Sequence, residues 1–426
     1  MNISVIGVGY VGLVTAAMLA KLNHNVICID INKEKVDKIN NKESPLYEPG
    51  LNELLQEVVG KNLKASTDLK DAILNTEISF ISVDTPSRKE GEIYTYSLKK
   101  VSEQIGNVLK EKKDYHLIVL KSTVIPGTTE DIVIPIVEEN SGKKVIKDFG
   151  IIMSPEFLRE GSALQDSLNP DRIVIGVKDN DKKSLEILKS IYKNFNCPIL
   201  ETNLEEAEMI KYASNTFLAT KLSFINEIEN ICKKLSVNTN TVAKGMGLDK
   251  RIGPHFLKAG IGFGGSCFPK DLNALIYKAT ELGFNPRLLR ATLEVNKEQP
   301  FRIIELMDKH NTLKNKKVGI LGLTFKGETD DIRESSALEV IKALLLEDVE
   351  LFIHDPVAMH KVKTIFPHLN YKDKAQEVVD SSDLVLILSE WPEFTKLDYK
   401  DKLVIDGKNV FGNGDKKPKN YEGICW

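Results

Sequence analysis

The stretch Ile3–Asp30, ISVIGVGYVGLVTAAMLAKLNHNVICID, constrains the fold more than any other part of the chain. A short β-branched run leads into Gly7, Gly9 and Gly12 at GxGxxG spacing. An Ala- and Leu-rich helical segment follows, and then a second apolar strand that ends on Asp30. Strand, glycine turn, helix and strand-end acid in this order form a dinucleotide-binding βαβ unit. Gly7 permits the tight turn, Gly9 lets the backbone approach a pyrophosphate, and Gly12 lets helix and strand pack closely. The helix N-terminus then offers unpaired N–H groups to phosphate. Asp30 can accept hydrogen bonds from both hydroxyls of an adenosine ribose and would repel a 2′-phosphate, which favours NAD over NADP. Lys33 and Lys35 work in the opposite direction, because nearby cations tolerate extra negative charge. The same apolar run lacks a basic leader and is broken by the glycines, so it reads as neither signal peptide nor membrane anchor.

Strands and helices go on alternating after this unit. Apolar runs near 78–83, 116–122, 149–153 and 172–177 each end in a polar or Pro-containing loop. In a doubly wound sheet the carboxyl ends of the strands line the ligand crevice. Thr85, Thr123, Glu156 and Glu160 then converge on the nicotinamide end, unless they are ordinary loop caps. At about 150 residues per domain, 426 residues hold about three domains. The net charge of −3 gives no reason to expect nucleic acid or an anionic membrane as partner. The five cysteines are few and scattered, with no zinc-like spacing and no disulfide framework. A cytoplasmic protein without a bound metal is the expectation.

From Thr202 the pattern changes. TNLEEAEMIKYASNTFLATKLSFINEIENICKKL has no Gly or Pro through Leu235, and Thr202 with Glu205 has the spacing of a capping box. The apolar positions of this helix spread beyond one face, which makes it a dimer interface candidate. Lys211 and Asn215, at i and i+4, point the same way: either into a site or to solvent. Further on, KKVGILGLTFKGETDDIRESSALEVIKALL again reads strand, glycine turn, helix. Its glycines, Gly319 and Gly322, are followed by Thr324, Phe325 and Lys326, and a second acid stands at Asp355. This is a second Rossmann-like unit, made for a different nucleotide or for none. The fold class expected is α/β, two Rossmann-like doubly wound parallel-sheet domains joined by a long central helix. The expected divisions are 1–200, a central helical dimerisation segment 201–300, and 301–426.

GFGGSCFPKD places Cys267 after Gly262, Gly264 and Gly265 and before Pro269, Lys270 and Asp271. The glycines would let a substrate lie against the backbone. Pro269 suits the first turn of a helix, which puts Cys267 just before a helix N-terminus. The helix dipole and Lys270 favour a thiolate and Asp271 opposes it, so the thiol is a candidate nucleophile. In a dehydrogenase a thiolate has a specific use. Added to an aldehyde, it makes a thiohemiacetal that can lose a second hydride and become a thioester, which water cleaves. The cysteine therefore predicts oxidation of an alcohol to a carboxylate, with Asp271 placed as base and a nearby lysine stabilising the oxyanion.

These residues resemble the UDP-glucose/GDP-mannose dehydrogenase family. The likeness spans nearly the whole chain and rests on GVGYVG, SPLYEPGLNELL, KSTVIPGTT, SPEFLREG, NPDRIVIG, AEMIKYASNTFLATKLSFINEI, FLKAGIGFGGSCFPKD and LTFKGETDDIRESS, in that order. It implies NAD bound around Val11, Asp30, Lys35, Thr85, Thr123, Glu160, Lys270 and Arg333. It implies Cys267 as nucleophile, with Asp271, Lys211, Asn215, Thr123 and Glu156 as acid–base and oxyanion partners. Substrate would be held by Glu156, Phe157, Leu158, Arg159, Glu160, Lys211, Asn215, Phe256, Leu257, Lys258, Ala259, Gly260, Gly264 and Lys326. Arg251 matches an arginine lent to the neighbouring subunit's site. The resemblance further implies a homodimer, UDP-glucose as substrate, and UDP bound by the C-terminal domain. The alternatives are GDP-mannose or UDP-N-acetylmannosamine as substrate, or a non-catalytic NAD- or sugar-nucleotide-binding protein. One departure is visible: the family usually reads VGTP where this chain reads VDTP, with Asp84 in the glycine position.

Overall fold

A computed structural model describes residues 1–310, 315–412 and 417–425. Its described residues form two compact units, Met1–Ser214 with Asn273–Lys278, and Asn215–Leu272 with Ala279–Trp426. The 201–300 segment thus contributes to both.

The first unit is built on eight strands: β1 (Asn2–Ile6), β2 (Asn25–Ile29), β3 (Leu63–Ser66), β4 (Ile78–Ile81), β5 (His116–Leu120), β6 (Phe149–Met153), β7 (Ile173–Val177) and β8 (Ile199–Thr202). Their order is β3-β2-β1-β4-β5-β6-β7-β8. β4, β5 and β6 are buried at every position, as strands covered on both faces must be. One apolar cluster includes Leu13, Ala17 and Leu55, and another includes Ile105, Val137 and Leu204. The order reverses between β1 and β4, and this switch point is where an open α/β sheet binds ligands.

The sheet departs from wholly parallel pairing at one place. β7 runs antiparallel to β6 and overlaps it by two pairs, Ile152 with Val177 and Met153 with Gly176. The start of β7 therefore lies beside the segment that follows β6, and Arg172 comes to rest 3.8 Å over the Phe157 ring. β8 runs parallel to β7, so the carboxyl ends of these two strands lie at the opposite edge of the sheet from those of β1–β6.

The second unit carries β9 (Lys316–Leu321), β10 (Val349–His354), β11 (Asn370–Tyr371), β12 (Leu384–Ile387), β13 (Leu403–Asp406) and β14 (Asn420–Gly423). All its pairings are parallel, in the order β11-β10-β9-β12-β13-β14. That is the order of the first six strands again, and the turns match as well. Gly7 (φ +92°) donates to the Ile29 carbonyl at 2.8 Å, and Gly322 (φ +93°) to the His354 carbonyl at 2.9 Å. Gly319, read above as part of the turn, belongs to β9, where a Cβ would strike Ser382 and Val378.

The central helix spans Leu204–Leu235. Its cap lies one residue later than the expected pair: Asn203 Oδ1 accepts the Glu206 N–H at 2.8 Å, while the Thr202 hydroxyl donates to the Glu206 carboxylate. The helix that follows the cysteine spans Phe268–Glu281. Among the described residues no helix is long and apolar enough to cross a membrane, and no cluster of His, Cys, Asp and Glu could hold a metal ion.

Candidate active site

The N-terminal turn has the geometry its glycines announce. A Cβ on Gly7 would lie 2.7 Å from the Ser82 carbonyl oxygen, and one on Gly12 1.8 Å from the Gly7 carbonyl oxygen. Both positions exclude a side chain because strand, helix and loop meet there. Gly9 differs: a Cβ there would meet a single atom within 4 Å, Asp84 Oδ1 at 3.8 Å. The space beside Gly9 is open to a ligand, and the helix Tyr10–Lys21, with Val11 in its first turn, points its N-terminal N–H groups there. This cradle fits the pyrophosphate of NAD.

Asp30 Oδ2 accepts the Val8 N–H and Oδ1 the Asn32 N–H, both at 2.9 Å, which fixes the carboxylate at the end of β2. Lys35 approaches Asp30 to 4.0 Å, and Lys33 pairs with Asp37 at 2.7 Å. The two cations that could have welcomed a 2′-phosphate are thus committed to carboxylates. On the far side of the switch point the Thr85 hydroxyl donates to the Thr123 carbonyl at 2.7 Å, joining the loops after β4 and β5.

Beyond β6 the first unit holds a buried ion pair. Lys211 Nζ lies 2.7 Å from Glu156 Oε1, and both side chains are almost fully covered. Glu156 Oε2 accepts the Leu158 N–H at 2.6 Å. Burial pushes the Glu156 carboxyl up, but Lys211, that N–H and Lys121 outweigh it and hold the group below the ordinary carboxylate range. Lys121 is a buried cation that sequence reasoning did not nominate. Its Nζ donates to the Ser154 carbonyl at 3.2 Å, and burial pushes its pKa down to about 8. Phe157 receives cations from two directions, Arg172 at 3.8 Å and Lys211 at 5.5 Å. Arg159 is turned to Asp166 in a bidentate pair, and Leu158 packs on the apolar core; Glu160 follows them in the same loop.

The second unit holds the thiol. The Cys267 carbonyl accepts the Asp271 N–H at 2.8 Å, closing the first turn of the Phe268–Glu281 helix, as Pro269 foretold. Asp271 is buried and doubly held: Asn215 Nδ2 donates to Oδ2, and Lys270 Nζ to Oδ1, each at 2.6 Å. Asn215 follows Lys211 by one turn of the central helix. Ser266 Oγ lies 3.6 Å from Cys267 Sγ.

Two of the glycines ahead of Cys267 turn their Cα hydrogens to the chain itself. A Cβ on Gly264 would lie 2.0 Å from the Glu334 carbonyl oxygen, and one on Gly265 2.9 Å from the Phe325 ring. They admit the close approach of the chain's own 325–334 segment. Anything Gly264 gives a ligand comes from its main chain. Leu257 and Ala259 likewise turn their side chains into the core, while Lys258 between them is exposed, 3.7 Å from Glu390. Phe256 stacks obliquely on Phe268. Lys326 Nζ lies 5.8 Å from the Phe325 ring, and buried Lys408 donates to the Phe325 carbonyl at 3.0 Å. Arg333 is bidentate to Asp331, and Arg251 to Asp249 with its side chain almost wholly exposed.

Sequence reasoning also missed the residues that hold the cysteine loop. Asn226 accepts the Gly260 N–H and Gln299 donates to the Gly260 carbonyl, each at 2.9 Å. Asn296 clasps Phe263, accepting its N–H at 2.7 Å and donating to its carbonyl at 2.9 Å. In the first unit Glu208 does the same for the loop after β5. It accepts the Gly127 N–H at 2.6 Å, the Thr129 N–H at 2.9 Å and the Thr129 hydroxyl at 2.6 Å. No local signal marks such residues, since their partners stand 33 to 81 positions away.

Comparison with known proteins assigns the chain to a family. Residues 1–196 match the model of the NAD binding domain of the UDP-glucose/GDP-mannose dehydrogenase family, 205–298 its central domain and 319–413 its UDP binding domain. The UDP-glucose 6-dehydrogenase of Haloferax volcanii is 43% identical over 420 residues, 96% of this chain and 97% of the relative. The GDP-mannose 6-dehydrogenase of Pseudomonas savastanoi is 38% identical, covering both chains in full. The solved UDP-glucose dehydrogenase of Pyrobaculum islandicum superimposes with a TM-score of 0.93 at 40% identity, over 100% of this chain and 97% of that one. The chain is an NAD-dependent nucleotide-sugar dehydrogenase and belongs to the UDP-glucose/GDP-mannose dehydrogenase family.

Proposed function

We propose that the chain oxidises UDP-glucose at the sugar's C6, with UDP-glucose, two NAD and one water giving UDP-glucuronate and two NADH. The observation that carries this reading is Cys267 at the start of a helix whose first turn holds Asp271 between Lys270 and Asn215. A protein that only bound nucleotides would need no such thiol.

NAD, when bound, supplies the hydride acceptor for each oxidation; Gly7, Gly9, Val11, Gly12, Asp30, Lys35, Thr85, Thr123, Glu160, Lys270 and Arg333 would hold it. The chain's own groups do the rest. Asp271 takes the hydroxyl proton of the alcohol. The Cys267 sulfur adds to the aldehyde carbon, and the carbonyl oxygen becomes an alkoxide stabilised by the Lys211 ammonium and the Asn215 amide. After the second oxidation the carbon is a thioester. A water deprotonated by Glu156 attacks it, and the thiolate leaves. The buried Glu156–Lys211 ion pair favours the ionised Glu156 carboxylate for its role as base.

UDP is assigned to the second unit, through Lys326 and the main chain of the 256–264 loop. The equivalent turn has lost what makes the first one a dinucleotide site. Thr324 stands where the first turn has its open glycine, Gly9, while Gly327, like Gly12, excludes a side chain, its Cβ position lying 1.7 Å from the Glu390 carbonyl oxygen. Asp355 spends its carboxylate on the Leu323, Val357 and Ala358 N–H groups.

The chain further acts as a cytoplasmic homodimer. Phe217, Phe224 and Ile231 recur every seventh residue on the central helix, and each is about half exposed or more. Such a stripe makes a helix seam. NADH released per sugar nucleotide, measured across UDP-glucose, GDP-mannose and UDP-N-acetylmannosamine, tests the substrate and the stoichiometry together. Two NADH per UDP-glucose with the highest kcat/KM is the expected result. A clear preference for GDP-mannose would leave the mechanism standing and overturn the substrate.

A further inference from the structure

The loop that follows β4 sets an acid against the one glycine that leaves the pyrophosphate cradle open. Asp84 Oδ1 is the atom that a Cβ on Gly9 would meet, at 3.8 Å. The backbone on either side of Asp84 is pinned. The Ser122 hydroxyl donates to the Val83 carbonyl at 2.7 Å, and the Thr85 hydroxyl to the Thr123 carbonyl at 2.7 Å. Asp84 is exposed and makes no ion pair among the described residues. Of the two cations in its own loop, Arg88 is paired with Glu92 at 3.0 Å, and neither Arg88 nor Lys89 pairs with Asp84.

We propose that Asp84 tunes cofactor affinity from the repulsive side. Its carboxylate opposes the diphosphate that Gly9 admits, and so weakens the binding of NAD and NADH alike. Like charges a few ångströms apart at a solvated surface shift affinity by a modest factor, roughly three- to tenfold against a diphosphate. Resting on the four-electron reading above, the weakness has a use. Between the two oxidations the sugar is held on Cys267 while NADH leaves and a second NAD enters. Affinity spent equally on every bound state slows that exchange without speeding the chemistry.

The test is an NADH fluorescence titration of the full chain without sugar nucleotide, at about 20 mM and about 500 mM salt. Asp84→Asn keeps the shape and removes the charge. It should lower the NADH Kd roughly three- to tenfold at low salt, and the advantage should shrink towards parity at high salt. Asp84→Glu keeps the charge and should stay within about twofold of the parent. Unchanged melting temperatures without NADH would show that both variants fold. Equal or weaker binding by Asp84→Asn at low salt would overturn the proposal. So would a gain of equal size at both salt concentrations, which would make the effect one of shape. One NADH per sugar in the stoichiometry assay would remove the exchange argument alone; the titration decides the affinity claim independently.

Discussion

Replacing Cys267 by serine changes one atom and separates the two oxidations. The alcohol oxygen is a poorer nucleophile than a thiolate, and the ester it forms is harder to hydrolyse than a thioester. Cys267→Ser should therefore lose turnover to the acid by about three orders of magnitude or stall after the first oxidation, read as NADH released and acid formed. Undiminished acid production would show that a hydrated aldehyde, not a thiohemiacetal, gives up the second hydride. The remaining thiols offer no substitute: Cys28, Cys232 and Cys425 are buried, burial pushes the Cys28 thiol up to about 12, and burial and Asp171 raise that of the half-buried Cys197. Asp30 decides the cofactor in the same local way. With Lys33 tied to Asp37 and Lys35 turned to Asp30 itself, NAD should exceed NADP in kcat/KM by roughly a hundredfold. Parity between the two cofactors would mean that the lysines, not the carboxylate, face the ribose.

The central helix carries two buried carboxylic acids that do not belong to the chemistry, Glu208 and Glu229. Burial pushes both up to about 7. Glu229 is opposed by Lys233, Gln299 and Arg302, and its Oε2 has no hydrogen-bond partner among the described residues. A carboxyl whose folded pKa is raised is favoured neutral in the native state. Its stabilising contribution is complete below the unfolded value of 4.5 and is lost as pH rises through about 7. The loss is at most about 3 kcal/mol. Glu229→Gln cannot titrate, so its melting temperature should gain on the parent between pH 5 and pH 8. A difference that stays constant over that window would mean that Glu229 is ionised throughout. These acids show where the sequence stopped being legible. Strand ends, glycine turns and the helix after Cys267 follow from local patterns, because φ and hydrophobic period are set locally. Lys121, Glu208, Asn226, Asn296 and Gln299 are fixed by partners far along the chain, so no short window marks them. The reversal of β7 was hidden for a related reason: an apolar run reads the same in either direction. Gly264 and Gly265 were found, but spacing shows only that a Cβ is excluded, not that the Glu334 carbonyl and the Phe325 ring exclude it.

At the scale of the whole molecule, the apolar stripe on the central helix and the exposed Arg251 make one joint claim. In the proposed homodimer the stripe is the seam, since Phe217, Phe224 and Ile231 are each about half exposed or more in the single chain. Arg251 is held by Asp249 in a bidentate pair, with its side chain 88% exposed, so it faces outward in its own chain. If it completes the partner's substrate site, activity must depend on association. Replacing Phe217 and Phe224 together by glutamate should convert the protein to monomer in sedimentation and lower turnover at least tenfold. That result alone could reflect damage to the helix, which also carries Lys211 and Asn215. Mixed dimers separate the two explanations. A chain with Arg251→Ala and a chain with Cys267→Ala each have little activity alone. Unfolded and refolded together, half of the dimers are mixed. If the arginine acts across the interface, each mixed dimer has one complete site, and about a quarter of the parent activity returns. If the arginine acts within its own chain, no dimer has a complete site and nothing returns. Recovery of about a quarter is the expected outcome; none, with the mixed dimers present, would confine Arg251 to its own subunit.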